Sequence, residues 1–348
     1  MSATTLEPLA DVLARHGLAG TPEEPFPNDG WSGASLSLLR RAEGERFVLK
    51  RDSLARDWIA RATADGPLLR EASFAANGPP LLSPVRAPYL GAGVDGDEFG
   101  ILMPDLTGVL FDWDAPISVE ALDLVLDGLA GMHGAPWSAS DALDGGRARW
   151  CPLRERVTLI CRASLERPGP ARDAVSDRIL PGWDAFDRLA PERARDLVNS
   201  LGNDPRPLLG ALGHLPSTLI HGDLKLANVG IAPDGLIDLI DWQMVSVAPV
   251  AVELGWFLVS NVASLPLQPD DVLTRYHAAM VKRGGPGAGT VAEWRAQTDA
   301  AILAGLLLRG WRKGADAEAG LTLASGTSAA DDLAWWCDRA LEAADRLP

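Results

Sequence analysis

The stretch HGDLKLANVGIAPDGLIDLIDW, residues 221–242, constrains this chain more tightly than any other. Pro233-Asp234-Gly235 lies between two short apolar runs. Proline presets φ, aspartate caps the turn and glycine accepts a positive φ, so residues 228–232 and 236–241 are expected to fold back as a β-hairpin. Pairing Ala232 with Leu236 sets Asn228 opposite Ile240, and Asn228 and Asp241 then share the open end. Facing positions in such a pair lie ~5 Å apart, close enough for two side chains to hold one hydrated cation. Residues 221–227 read as a loop feeding that end, after a short apolar approach at Ser217–Ile220.

The segment carries four carboxylates, Asp223, Asp234, Asp238 and Asp241, among strand residues. Carboxylates do not gather for packing, and a metal ion with a phosphate chain would neutralise them. An Asn oxygen plus a carboxylate is a hard, oxygen-only donor set. It suits Mg²⁺, which keeps several waters and shares its shell with substrate phosphates. Asp223 need not bind the metal; it can orient a hydroxyl and take its proton. Lys225 can reach a phosphoryl oxygen. Asp238, inside the apolar strand, reads as a structural acceptor or secondary ligand, and His221 as a brace for the loop backbone.

Bulk properties narrow the class. The chain has 348 residues, 47% of them hydrophobic, ample for about two lobes. No run of ~20 apolar residues crosses a membrane. The start, MSATTLEPLADVLARHG, has neither the charged nor the apolar region of a signal peptide. Cys151, Cys161 and Cys337 form no CxxC pair, which fits a reducing cytoplasm. The five histidines contain no HxxxH pair, so zinc lacks ligands. A net charge of −15 argues against non-specific nucleic-acid binding. It is compatible with a cationic small substrate, but solubility alone accounts for it better.

Along the chain, residues 6–15 read as a helix and the Pro-rich TPEEPFPNDG as irregular. SLSLLRR and RFVLKR around AEGE suggest a hairpin. A helix is expected from an N-cap at Ser53, and another opened by Pro67 and closed by Asn77-Gly78-Pro79. Strands are expected at 85–90 and 99–103. Ser118 caps a helix whose Leu122, Leu126, Leu129 and His133 share one face, so His133 reads as a core histidine. Residues 147–212 read as helix broken by Pro and Gly. Further helices are expected at 251–262, Pro269–Arg283, 291–312 and 328–346. The 221–242 stretch supplies the only clear hairpin of this second part.

His221-Gly222-Asp223, then Asn228, then Ile240-Asp241-Trp242 resembles the catalytic and metal motifs of the aminoglycoside phosphotransferase and choline kinase-like family. The resemblance implies an α+β, bilobal protein-kinase-like fold, with a small β-rich N-lobe and a large, mainly helical C-lobe. The expected division is residues 1–105 for nucleotide binding and 106–348 for catalysis and acceptor binding. It implies ATP and Mg²⁺ as cofactors, Asp223 as catalytic base, and Asn228 and Asp241 as metal ligands. Lys225 resembles the lysine that follows the catalytic aspartate in protein kinases. Phe47-Val48-Leu49-Lys50 ends where the family places its phosphate-binding lysine, and Glu71 is implied as the partner that holds Lys50 extended. Ser32-Gly33-Ala34-Ser35 is similar to the small-residue loops of related kinases, whose backbone N–H groups approach phosphates. The segment 101–106 resembles an adenine-binding hinge, with the carbonyl from Pro104 and the N–H from Leu106. Proline keeps its acceptor. Glu253 stands where relatives often have Asp supporting the catalytic loop.

The reaction expected is phosphoryl transfer to a hydroxyl of a small molecule: an amino sugar, aminoglycoside-like antibiotic, amino alcohol or sugar. Phosphorylation of a peptide hydroxyl and a nucleotide-binding pseudokinase stand as alternatives. Trp256, Trp294, Trp311, Trp335 and Trp336 lie in helices able to wall an acceptor pocket, and Asp331 and Asp332 are placed to meet an ammonium group. Core or surface roles account for all seven better, so none is counted among the site residues. Oligomeric state leaves no mark in the sequence.

Overall fold

Alternation of apolar residues builds the first half of the molecule. The computed structural model describes residues 6–28, 30–66, 69–135, 137, 150–284 and 289–347. The chain runs through β1 (Glu7–Pro8), α1 (Leu9–Arg15), β2 (Glu24–Pro25), β3 (Ser35–Arg40), β4 (Arg46–Asp52), α2 (Trp58–Ala62), α3 (Arg70–Asn77), β5 (Val85–Arg86), β6 (Gly91–Asp95) and β7 (Glu98–Pro104). Six of these strands form one sheet in the order β1-β6-β7-β4-β3-β2. Phe47, Leu49 and Leu102 face a cluster completed by Leu9 and Val12 of α1. Val48, Ile101 and Met103 face the other way, against Ala60 and Ala72 of α2 and α3. Period-two alternation therefore turns Lys50, like Val48, toward α3.

Several elements differ from the sequence expectation. The first helix begins at Leu9, because Glu7–Pro8 pairs in parallel with Gly93–Val94. Glu24–Pro25 is a short edge strand on β3 rather than irregular chain. Ser53 opens a turn, not a helix: its carbonyl accepts from Arg56 and Asp57. Asp57 is the cap of α2, accepting from the Ala60 N–H at 3.0 Å. Pro67 lies outside the described residues, as do residues 147–149; α3 starts at Arg70, whose N–H is accepted by Asp65. Of the expected strand 85–90 only Val85–Arg86 forms, while Gly91–Asp95, for which no element is expected, is a full strand of the sheet.

The second half is helical around small strand pairs. It runs α4 (Val119–His133), α5 (Leu153–Thr158), α6 (Arg162–Glu166), α7 (Pro170–Leu189), α8 (Glu192–Asn203), α9 (Arg206–Gly213), β8 (Ser217–Ile220), β9 (Val229–Ile231), β10 (Ile237–Leu239), β11 (Ser246–Pro249), α10 (Val250–Ser260), α11 (Pro269–Arg283), α12 (Val291–Glu318) and α13 (Ala329–Ala344). Ser118 caps α4 through the Ala121 N–H, and its expected apolar face is buried. The long α12 starts with a reciprocal Thr290–Glu293 cap and crosses α10 so closely that a Cβ on Gly255 would lie 2.2 Å from the Ala301 carbonyl. The hairpin is not alone here. β8 pairs with β11, and β5 crosses from the first half to pair in parallel with β10. The outcome is the α+β, two-lobed, kinase-like plan. Among the described residues no helix is long and apolar enough to cross a membrane. All three cysteines are buried and unpaired.

Candidate active site

The hairpin register is the one its turn dictates. Ile237, Asp238 and Leu239 face Ile231, Gly230 and Val229. The turn closes through Ala232 N–H to Leu236 O, and the open end through Ile240 N–H to Asn228 O, at 2.9 and 3.0 Å. Asn228 and Asp241 thus leave the hairpin at the same end. Asp241 has φ 66° and ψ 55°, a left-handed conformation that aspartate tolerates at modest cost and that concentrates at functional sites. It turns the chain into the Trp242–Met244 helical turn. Trp242 stacks on Phe74 of α3 with ring centroids 4.3 Å apart, and Arg70 Nη1 donates to Gln243 O at 2.6 Å.

Across the cleft, Lys50 Nζ lies 2.6 Å from Glu71 Oε2 and 2.7 Å from Asp241 Oδ1. Burial pulls the ammonium pKa down, but Asp241 and Glu71 outweigh it and hold it above the usual lysine value. Burial likewise pushes Asp241 up, yet Lys50 and then Lys225 leave it below the usual carboxylate range. For Glu71 burial wins over the shared cation, and its pKa is raised. Sequence reasoning missed a fourth member. Tyr89 Oη donates to Glu71 Oε1 at 2.7 Å and accepts from the Asp241 N–H at 3.0 Å.

The loop before the hairpin is held from behind. His221 Nε2 lies 2.8 Å from Ile240 O, and His221 Nδ1 accepts from the Asp223 N–H at 3.2 Å. One tautomer, protonated at Nε2, satisfies both, so the imidazole braces the backbone. Gly222 has φ 84°, and a Cβ there would lie 2.0 Å from Met244 O; no other residue fits. Glu253 Oε2 accepts from His221 N–H, and Oε1 from Gly222 N–H at 3.1 Å. The longer side chain at 253 therefore still supports the loop. Asn261 accepts from the Leu226 N–H. In front, Asp223 is 5% exposed and its Oδ2 lies 3.0 Å from Lys225 Nζ. Asn228 Nδ2 donates to Asp223 O, which leaves its amide oxygen as a donor for a cation.

Other expected residues sit apart from this centre. Asp238 pairs with Arg86 and is structural. His133 Nδ1 meets Tyr276 Oη in the core. Asp331 binds Ser328 at the start of α13 and Asp332 pairs with Lys313 at 2.7 Å, so neither meets a substrate ammonium. The Ser32–Ser35 loop is fastened to α2: Trp58 Nε1 donates to Trp31 O, Trp58 N to Ser32 O, and a Cβ on Gly33 would lie 2.8 Å from Arg56 O. Pro104 ends β7 opposite Phe47. Leu106 O starts a turn that accepts from Val109 and Leu110 N–H, and Leu110 then bridges to Gly230 of the hairpin. The joint is thus docked on the strands that carry Asn228 and Asp241.

A family model described as the phosphotransferase enzyme family (APH) matches residues 26–319. The chain belongs to that family. The matched span contains each candidate site residue named above, from Ser32 to Asp241. No curated protein sequence matches the chain. Among solved structures, this phosphotransferase-family chain is similar to a spectinomycin phosphotransferase crystallised with ADP and spectinomycin, at 13% identity, TM-score 0.49, over 96% of this chain and 97% of that one. It is also similar to a macrolide 2'-phosphotransferase from Brachybacterium faecium, at 19% identity, TM-score 0.39, over 98% of both chains. A choline/ethanolamine kinase family protein from Mesorhizobium loti aligns at 16% identity, TM-score 0.43, over 95% of this chain and 97% of that one. Likeness at these levels assigns no substrate.

Proposed function

We propose that this chain transfers the γ-phosphoryl group of ATP to a hydroxyl of a small molecule, with Mg²⁺. The observation that carries the reading is the buried contact of one lysine, Lys50, with Glu71 on α3 and Asp241 at the hairpin's open end. Such a lysine spans the cleft where a triphosphate would lie. In this reading residues 1–105 bind nucleotide and 106–348 supply catalysis and the acceptor site. Ser32, Gly33, Ala34 and Ser35 cover the phosphates, and Pro104 O and Leu106 N–H meet the adenine.

The donor set fits Mg²⁺ and not a transition-metal cage. Among the described residues no group of three or more His, Cys, Asp or Glu side chains forms a metal cage. The Asn228 oxygen and the Asp241 carboxylate are what Mg²⁺ takes when phosphates and waters complete its shell. Bound there, it would neutralise charge on the phosphate oxygens. Asp223 accepts the acceptor's hydroxyl proton as that oxygen bonds to the γ-phosphorus and the bond to the β-bridging oxygen breaks. Lys225 lies against the transferred group.

The test is ADP release over a panel of antibiotics, sugars, amino alcohols, hydroxy acids and peptides, with and without Mg²⁺. Acceptor-dependent, Mg²⁺-dependent ADP release with a small alcohol is expected. Release with peptides alone would make it a protein kinase, and ATP binding without any release would make it a nucleotide-binding protein.

A further inference from the structure

Packed on α10, whose Glu253 holds the catalytic loop, is a group of side chains that the transfer chemistry leaves unused. Arg156 of α5 is 1% exposed. Its Nε and Nη2 are buried and have no hydrogen-bond partner, and the same holds for Arg309 Nε, Trp256 Nε1 and Trp311 Nε1. The Arg156 guanidinium lies 4.5 Å over the Trp256 ring, and that of Arg309 lies 5.3 Å over the same ring and 5.0 Å over Trp311. Among the described residues neither guanidinium has a carboxylate within ion-pair distance.

The cluster is fixed to the catalytic loop. Trp256 follows Glu253 on α10, one turn along, and Glu253 holds His221 and Gly222. The start of α5 is tied to the segment after the hairpin, through Cys151 N–H to Val245 O and Ser246 Oγ to Cys151 O. Asp223 is the acidic group that acts most strongly on both arginines. Burial lowers the pKa of each, and burial with the neighbouring Arg312 brings Arg309 down to about 10.

Arginine and indole N–H groups only donate. Buried donors without acceptors are costly, and so are buried guanidinium ions without a counter-ion. Stacking on Trp256 offsets part of this but supplies no acceptor. What fits is an oxyanion, whose oxygens match the guanidinium fork.

We infer that the acceptor alcohol carries an oxyanion, a carboxylate or a phosphate, which Arg156 and Arg309 hold beside Trp256 while its hydroxyl faces Asp223. This rests on the proposed transfer reaction and names its substrate class. The negative surface of the chain is then a matter of solubility, and the acceptor site has the opposite sign.

Two experiments test it. The first compares glucose, glucosamine, glucuronate and glucose 6-phosphate, and wider neutral, amino and acidic alcohols, as acceptors in ADP release. Acidic acceptors should have the highest kcat/KM, and the carboxylate and phosphate arms separate the two oxyanions. A best acceptor without an acidic group overturns the inference while leaving the transfer reaction standing. The second needs no turnover. Malate, glucuronate or inorganic phosphate at millimolar concentration should raise Tm in the wild type and in Asp223→Asn, but not in Arg156→Gln or Arg309→Gln. Absence of any shift overturns the inference, as does an equal shift in both arginine variants, the mark of an adventitious ion only. Arg156→Gln should raise KM for acidic acceptors about tenfold or more with a smaller change in kcat, with partial rescue in Arg156→Lys. Should Arg156→Gln fail to fold, Arg309→Gln, at a half-buried position, carries the same comparison.

Discussion

Glu253 Oε2 lies 2.5 Å from the backbone nitrogen of His221. A carboxylate buried in α10 thus holds the loop that presents Asp223, without touching the cleft. Replacing it orphans two buried N–H groups, His221 and Gly222, at roughly 1–3 kcal/mol each. Glu253→Ala should therefore lower unfolding stability by that order in urea titration. Glu253→Gln, which keeps one acceptor, should lose less stability and lower kcat with ATP affinity retained. Burial alone would push the Glu253 pKa up, but His133, His221 and Arg156 outweigh it and hold it below the ordinary 4.5. A depressed carboxylate stabilises the fold above its unfolded value and loses that contribution as pH falls through its folded value. The stability gap between wild type and Glu253→Gln should close as pH drops below about 4.5; a constant gap down to acid pH would dissociate the effect from ionisation.

Asp223→Asn should bind Mg-ATP as the wild type does and lose turnover by about 10²-fold or more, the scale of a removed general base. Single-turnover ADP release checks this. Near wild-type turnover would take the base role from Asp223.

Asp241→Ala should weaken the Mg²⁺-dependent part of nucleotide affinity, measured by calorimetry with and without the metal. Lys50 keeps Glu71 as a partner in this variant, so the fold should survive. Equal affinity with and without Mg²⁺ in the wild type would remove Asp241 and Asn228 as ligands.

Asp52 is buried behind the Lys50–Glu71 pair. Burial first, and Asp57 second, push its pKa up to about 7 from 3.8. The folded state then keeps a proton that the unfolded chain sheds, so stability falls as pH rises from about 3.8 to 7 and the loss is complete above that. Asp52→Asn preserves the acceptor for the Ser53 N–H and should stabilise the protein by on the order of 1–3 kcal/mol at pH 8, less at pH 5. Urea titrations at the two pH values decide it.

Tyr89→Phe removes one hydroxyl that serves both Glu71 and the Asp241 N–H. A stability loss of about 1 kcal/mol is expected from the hydrogen bonds alone, with a larger fractional fall in kcat as Glu71 loses its fixed position. Unchanged kcat would leave Tyr89 a packing role only.

The sequence makes local devices readable and distant pairings obscure. Pro233-Asp234-Gly235 determines its own register, and with it the shared end of Asn228 and Asp241. Ser118 determines where α4 begins because the cap lies three residues from the N–H it serves. By contrast β1 and β5 are two-residue strands defined by partners far along the chain, and no local pattern announces them. Ser53 and Asp57 both have capping side chains, and tertiary packing chose between them. Tyr89 and Arg156 have unremarkable neighbours in sequence; their roles come from where α3, α10 and the hairpin bring other groups.

Val85–Arg86 lies by sequence among the strands of the six-stranded sheet, yet it hydrogen-bonds to the hairpin strand Ile237–Leu239. Arg70 and Phe74 of α3 reach the turn that follows Asp241, and Tyr89 holds the Asp241 N–H. The hairpin is thus clasped at both edges by chain that precedes it, so a change in either clasp is felt at the carboxylate that meets Lys50.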